Sequence, residues 1–189
     1  MTPLTRLIPI AALAVAAAPN FAQSASPAQM GKFAGRTDMD ILHMATKIGS
    51  FKIIDGEGRL EFSFKGTLLV SKLDGQMTTL SGSLRKEYDK NQRAVYTGKG
   101  TVVIEGKWRG VQWFGDDMNA TYWGKGVCRI TGEFDRNLET GFYWYRDPAK
   151  KMPFPSSTVI DLRIPAENYG ADLNSKPQIR QGGTASGGN

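Results

Sequence analysis

Residues 98–135, GKGTVVIEGKWRGVQWFGDDMNATYWGKGVCRITGEFD, hold three of the four Trp, the single Cys and a series of short apolar runs separated by Gly. Val102 and Ile104 share one face of the first run, and Val111 and Trp113 share one face of the second. Met118, Ala120 and Tyr122 alternate with Asn119, Thr121 and Trp123, and Cys128 alternates with Ile130. A period of two is the signature of a strand with one covered face. The Gly-containing breaks, Gly98-Lys99-Gly100, Gly115-Asp116-Asp117 and Gly124-Lys125-Gly126, read as turns.

A fainter copy precedes this stretch at 56–89, GEGRLEFSFKGTLLVSKLDGQMTTLSGSLRKEYD. Leu60, Phe62 and Phe64 point one way there, and Arg59, Glu61 and Ser63 the other. VSKLDGQM corresponds to VQWFGDDM, and Glu87-Tyr88-Asp89-Lys90-Asn91 to Glu133-Phe134-Asp135-Arg136-Asn137. The reading is a unit of several strands, repeated over about 56–97 and 98–145, that buries its apolar face only by stacking on a neighbour. The Asp of each matched pentapeptide is expected to cap turn amides, with the aromatic before it packing the corner.

Outward from this centre, Asp55-Gly56 and Asp74-Gly75 carry hairpin chemistry, and Asp89–Gln92 is a polar turn. Residues 37–48 fit a strand or a helix. Phe142-Tyr143-Trp144-Tyr145 puts aromatics on both faces of a strand. Pro148, Pro153 and Pro155 forbid a regular ladder over 146–155, and Thr158 to Ile164 reads as a closing strand. Short connections imply antiparallel pairing. The expected fold is all-β: an antiparallel, repeat-built jelly roll or folded-over sheet, with a β-sandwich or small barrel as the alternative. The single domain is expected over 38–164.

The ends have a different character. Arg6, the apolar run Leu7 to Ala18 and the small residues Ala22-Gln23-Ser24 resemble a cleavable secretory signal over 1–24. The run is too short to span a bilayer, which takes roughly 20 residues. Residues 25–37 read as a flexible arm and 165–189 as a disordered tail. The expected location is periplasmic or secreted, and not membrane-spanning. The formal charge of +6 becomes +5 without Arg6, a balance that favours acidic partners. Cys128 cannot form an internal disulfide and reads as a small buried hydrophobe.

The order of these motifs, a YD turn, a short strand, GxG, a VxIxG strand, a DMxAxY strand, GxG and a GEFD turn, resembles the periplasmic lipopolysaccharide-transport bridge proteins of the OstA-like family. The resemblance lies in Val95 to Glu105 and Asp117 to Asp135. It implies a slit-like β-jelly roll whose apolar groove shields acyl chains and whose edges pair with neighbours.

No constellation for catalysis stands out. The one His, His43, has no nucleophile motif beside it and no cluster of metal ligands. No cofactor is expected. The expected function is non-catalytic binding of an amphipathic, lipopolysaccharide-like envelope lipid in an apolar groove. The candidate lining is Leu60, Phe62, Leu69, Val102, Ile104, Val111, Trp113, Tyr122, Trp123, Ile130 and Trp144, with Lys107 and Arg109 meeting phosphates. The alternative is a glycan-binding or structural envelope module that uses exposed Trp and basic residues. Behind an export signal, an acidic lipid or glycan fits the basic residues better than nucleic acid does. A third reading is an interaction module whose edge strands pair with itself or with another β protein.

Overall fold

The computed structural model describes residues 36, 38–155 and 158–166. The signal-like segment, nearly all of the arm and most of the tail lie outside the described residues. The fold is all-β and antiparallel: one five-stranded sheet, curled on itself, with strand order β4-β3-β1-β2-β5. β1 is Asp40–Tyr88, β2 Ala94–Gly132, β3 Phe142–Tyr145, β4 Met152–Pro153 and β5 Ile160–Ile164. No helix among the described residues is long and apolar enough to cross a membrane.

β1 runs for 49 residues and β2 for 39. Drawn straight, β1 would extend about 160 Å at roughly 3.3 Å per residue. It coils instead, and β2 coils back along it. A residue of β1 therefore finds β2 on both sides. Phe51 lies between Trp113 and Ile130, and Leu60 between Ile104 and Tyr122. Each pair of flanking residues is 17 or 18 positions apart in β2, which is one full turn of the coil. The molecule is a long β-hairpin rolled up on itself.

Two walls result. Across one wall the neighbours run Tyr145, Leu42, Tyr122, Leu60, Ile104, Met77. Across the other they run Ile160, Ile130, Phe51, Trp113, Leu68, Tyr96, Lys86. Both long strands pass from wall to wall at corners, and the corners are built on glycine. Gly132, Gly49, Gly115, Gly66 and Gly98 are successive cross-strand neighbours down one corner, and Gly124, Gly58, Gly106 and Gly75 down the other. Backbones crowd there. Gly106 has φ +127°, and a Cβ on it would fall on the Asp74 carbonyl oxygen, so only glycine fits without strain.

The breaks expected to be hairpin turns are mostly these corners. At Asp55-Gly56 and Asp74-Gly75 the chain bends and continues along the same strand. Asp55 and Lys72 take left-handed φ of 48°, and extra residues of this kind bend a strand and switch which alternate residue faces inward. Buried positions accordingly change parity, from Leu42 and Met44 to Phe51 and Ile53, then to Leu60, Phe62 and Phe64. Leu69, expected inward, is only partly buried, because no such residue lies between 56 and 71 and the inward row of Leu60, Phe62 and Phe64 continues in step through Leu68 and Val70. The two sequence copies do not stack as successive units. They lie mainly on opposite arms of the hairpin, so that Val70 and Val111, matched as equivalents, are direct cross-strand partners.

The one turn between the long strands is Asp89–Gln92, where the Asp89 amide donates to the Arg93 carbonyl at 3.1 Å. The matched pentapeptides share real turn chemistry. Asp89 Oδ1 accepts from the Asn91 and Arg93 amides, and Asp135 Oδ1 from the Asn137 and Leu138 amides. The aromatics before them do not pack the corners as expected: Tyr88 and Phe134 are exposed. Residues 40–48 are strand rather than helix, with Leu42 and Met44 inside. Ile160, Leu162 and Ile164 close the other end of the roll against β2.

Candidate functional site

The residues singled out from the sequence divide into two groups. Leu60, Phe62, Val102, Ile104, Val111, Trp113, Tyr122 and Ile130 come together inside the roll, each at most 1% exposed and all in one core cluster. They fill the space between the walls with one another. Phe62 lies on Trp113 at 4.6 Å between ring centroids, Phe51 meets the edge of Trp113 at 5.5 Å, and Trp108 meets Tyr122 at 5.8 Å. Exposures this low leave no water-sized space against these side chains. Alternation identifies them as inward-facing, and the structure makes them packing residues; an acyl chain could touch them only by parting the walls. The Tyr122 hydroxyl is anchored as well, donating to the Glu57 and Lys125 carbonyls at 3.2 and 2.6 Å. Cys128 is part of the same interior, and burial pushes its thiol far above its ordinary range.

Trp123, Trp144, Lys107 and Arg109 are not part of that cluster. Trp144 stacks on His43, with centroids 5.0 Å apart and planes 10° from parallel. Lys151 Nζ stands 4.8 Å from the Trp144 ring centroid. His43 Nδ1 lies 3.1 Å from Thr121 Oγ1, and burial lowers the imidazole from its ordinary value to about 4. Arg59 lies over Trp123 at 6.0 Å. Lys107 and Arg109 are exposed on either side of Trp108.

Several basic groups near these rings face acids within the chain. Lys125 reaches Asp38 at 2.9 Å and Glu57 at 3.3 Å, Lys107 reaches Glu57 at 3.8 Å, and Arg129 reaches Asp161 at 2.8 Å. The Arg36 guanidinium, then Lys125, hold the Glu57 carboxyl below its usual range. Among the described residues no group of three or more His, Cys, Asp or Glu could hold a metal ion.

The open surface is at the hairpin tip. At the other end β3, β4 and β5 extend the sheet past the ends of the long strands. At the tip the last coil of β1 has β2 on one side only, and the inward row there is incompletely covered. Leu73, Met77, Leu84 and Tyr96 are packed on the core but only partly buried, and Leu80 and Tyr88 are 56% and 62% exposed. Lys86 Nζ stands 5.1 Å from the Tyr88 ring and 5.7 Å from the Tyr96 ring. Where Gly100 pairs with Gly82 on one side and Phe64 on the other there is an open depression of about 710 Å3, lined by these three, the hydroxyl residues Ser63, Ser81, Ser83 and Thr101, and the charges Lys99 and Asp117. The sequence reading placed Ser63 and Phe64 on a strand and Lys99, Gly100 and Asp117 in turns, but did not join them as one site. Small residues with a Lys and an Asp carry no motif, and only the coil brings 63, 81–83, 99–101 and 117 together.

No family model, no curated protein and no solved structure matches the chain.

Proposed function

We propose that the protein is an exported, non-catalytic binding protein of the cell envelope that holds an amphipathic, acidic lipid at the hairpin-tip mouth of its roll. The observation that carries this reading is the half-covered apolar row Leu73, Met77, Leu84 and Tyr96, set beside Lys86. Apolar surface left open beside a cation suits a ligand with a greasy part and an acidic head. The signal-like segment supports an envelope location. This reading moves the ligand from the filled interior to its open end. The test is co-sedimentation of the purified protein with vesicles of anionic and of neutral phospholipid. Binding that needs the anionic lipid and is lost in Met77→Asp and in Lys86→Glu supports the reading. Absence of binding to either vesicle sinks it, and a response to acidic polysaccharide in place of lipid favours the glycan alternative.

A second reading, an edge-pairing module, rests on a separate observation. Among the described residues, 75–84 form an edge paired on one side only, and they contain no charged residue and no Pro. Natural edges usually carry such protection. The β5 edge has Asp161 and Arg163, and β4 ends in Pro153. Thr79→Lys should abolish concentration-dependent association in sedimentation velocity without altering vesicle binding.

A further inference from the structure

The depression at Gly100 opens on the outer face of the roll, whereas the apolar row at the mouth faces inward. Phe64 is inward and 2% exposed, so by strand alternation its neighbours Ser63 and Lys65 face outward. Pairing extends both positions into rows. Ser63, Thr101 and Ser81 are successive cross-strand neighbours, and two positions along so are Lys65, Lys99 and Ser83. Between the rows run Phe64, Gly100 and Gly82, and the two glycines contribute backbone alone. A Cβ on Gly100 would fall 2.5 Å from the Ser81 carbonyl oxygen, and one on Gly82 would fall 2.1 Å from that of Lys99. Side chains are thus barred from these two positions, and a hollow of about 710 Å3 stays open there.

The polar groups around the hollow are unengaged. Among the described residues, the hydroxyls of Ser63, Ser81, Ser83 and Thr101 and the Lys99 ammonium have no hydrogen-bond or ion-pair partner. Lys99 stands directly opposite Lys65, and like charges so placed destabilise a sheet. The acid that lines the hollow, Asp117, is already bonded to Lys47. That bond, and after it the charges of Lys99 and Lys65, hold the Asp117 carboxyl below its usual range. Asp116 faces Lys65 from its other side. Lys47, Lys65 and Lys99 set against Asp116 and Asp117 leave one cation in excess, and Lys99 is the one inside the hollow. Phe64, the one aromatic among the described lining residues, is too buried to serve as a platform for a stacked base.

We infer that this hollow is a second binding site, separate from the mouth, for a phosphorylated polyol such as a glycerol or hexose phosphate. The phosphate sits at Lys99, which binds it as a point charge, and relieves the repulsion between Lys99 and Lys65. Ser81 and Ser83 donate to phosphate oxygens. Ser63 and Thr101, which both donate and accept, and Asp117, which accepts, meet the polyol hydroxyls. Inorganic phosphate alone would fill only a small part of a hollow in the usual size range of small-molecule sites.

Glycerol phosphate and glucose phosphate, titrated into the isotope-labelled chain, should shift the backbone amides of Gly82, Gly100 and Thr101 to saturation, and glycerol and glucose should not. Lys99→Gln should weaken binding by about tenfold or more, the loss of one charged hydrogen bond. The urea midpoint of that variant should not fall, because the change removes a like-charged neighbour of Lys65. Ser81→Ala should weaken binding less, and Lys86→Glu at the mouth should leave it unchanged, so failure here and failure at the mouth read separately. Weaker co-sedimentation of Lys99→Gln with anionic vesicles would place the phosphate on a lipid head group, and unchanged co-sedimentation would make the ligand a free solute; the site stands in both cases. Shifts that do not saturate at millimolar ligand overturn the inference. So do equal affinity for inorganic phosphate or for the unphosphorylated polyols, and binding that is indifferent to Lys99→Gln.

Discussion

Phe62 and Trp113 meet with ring centroids 4.6 Å apart although they come from opposite walls of the roll. Phe62 lies between Val102 and Ala120, and Trp113 between Phe51 and Leu68. Their contact ties the two walls together across the interior. Trp113→Ala leaves a void that rigid walls cannot close, so it should cost about 3–5 kcal/mol. Trp113→Phe should cost less. Urea unfolding measures both, and a loss below about 1 kcal/mol for the Ala variant would mean that the interior is not filled as described.

The corner glycines give a second, paired expectation. Gly106→Ala puts a methyl group on the Asp74 carbonyl at a left-handed φ and should cost at least about 1–3 kcal/mol in strain. Gly110 has an ordinary φ and only Ser71 Cβ nearby, at 3.9 Å. Gly110→Ala should therefore be neutral or stabilising by up to about 1 kcal/mol. Melting temperatures of the two variants should move in opposite directions or differ plainly in size.

His43 sets an acid limit on stability. Burial between Trp144 and its own wall lowers the imidazole from 6.5 to about 4. The folded state holds His43 neutral while the unfolded chain takes up a proton near 6.5. This contribution is complete above pH 6.5 and is lost as pH falls from 6.5 toward 4, for a total of about 3 kcal/mol. In His43→Gln the stability of the protein should be flatter across that window. An unchanged slope would show that other groups set it.

Cys128 should be inert in the folded protein. Its sulfur is buried among Ile53, Tyr122 and Leu162 neighbours in the core, and its thiol is held protonated. A thiol-specific chromogenic reagent should label it only in denaturant. Rapid labelling under native conditions would place Cys128 at the surface and contradict the register of β2.

Alternation within short runs made the fold class legible, because a period of two survives between corners. Leu60, Phe62 and Phe64 are inside as their spacing implies. The roll itself was written in the sequence in another form. Glycines recur every eight or nine residues, at 49, 58, 66 and 75 and again at 98, 106, 115, 124 and 132, which is one glycine per half-turn of the coil. Read locally, Asp55-Gly56 and Asp74-Gly75 suit a hairpin turn equally well, because a tight turn and a strand corner ask for the same left-handed backbone. Only pairing across the molecule separates the two. The ligand surface was less legible for a related reason. An apolar stripe that faces a groove and one that faces a core have the same period, so Ile104 and Val111 could be assigned inward but not to a channel. Trp123 shows the converse, since an outward position gives no sign that its side chain is buried.

The filled interior and the open mouth both depend on the double pairing of the coiled hairpin. The most direct measurement is the set of backbone nuclear Overhauser contacts made by Leu60 in the isotope-labelled protein. The coil places Leu60 between Ile104 and Tyr122, so cross-strand contacts to the neighbourhoods of both residues are expected. Contacts to only one of them, with the other side of Leu60 open to rapid amide exchange, would contradict the rolled hairpin and everything built on it.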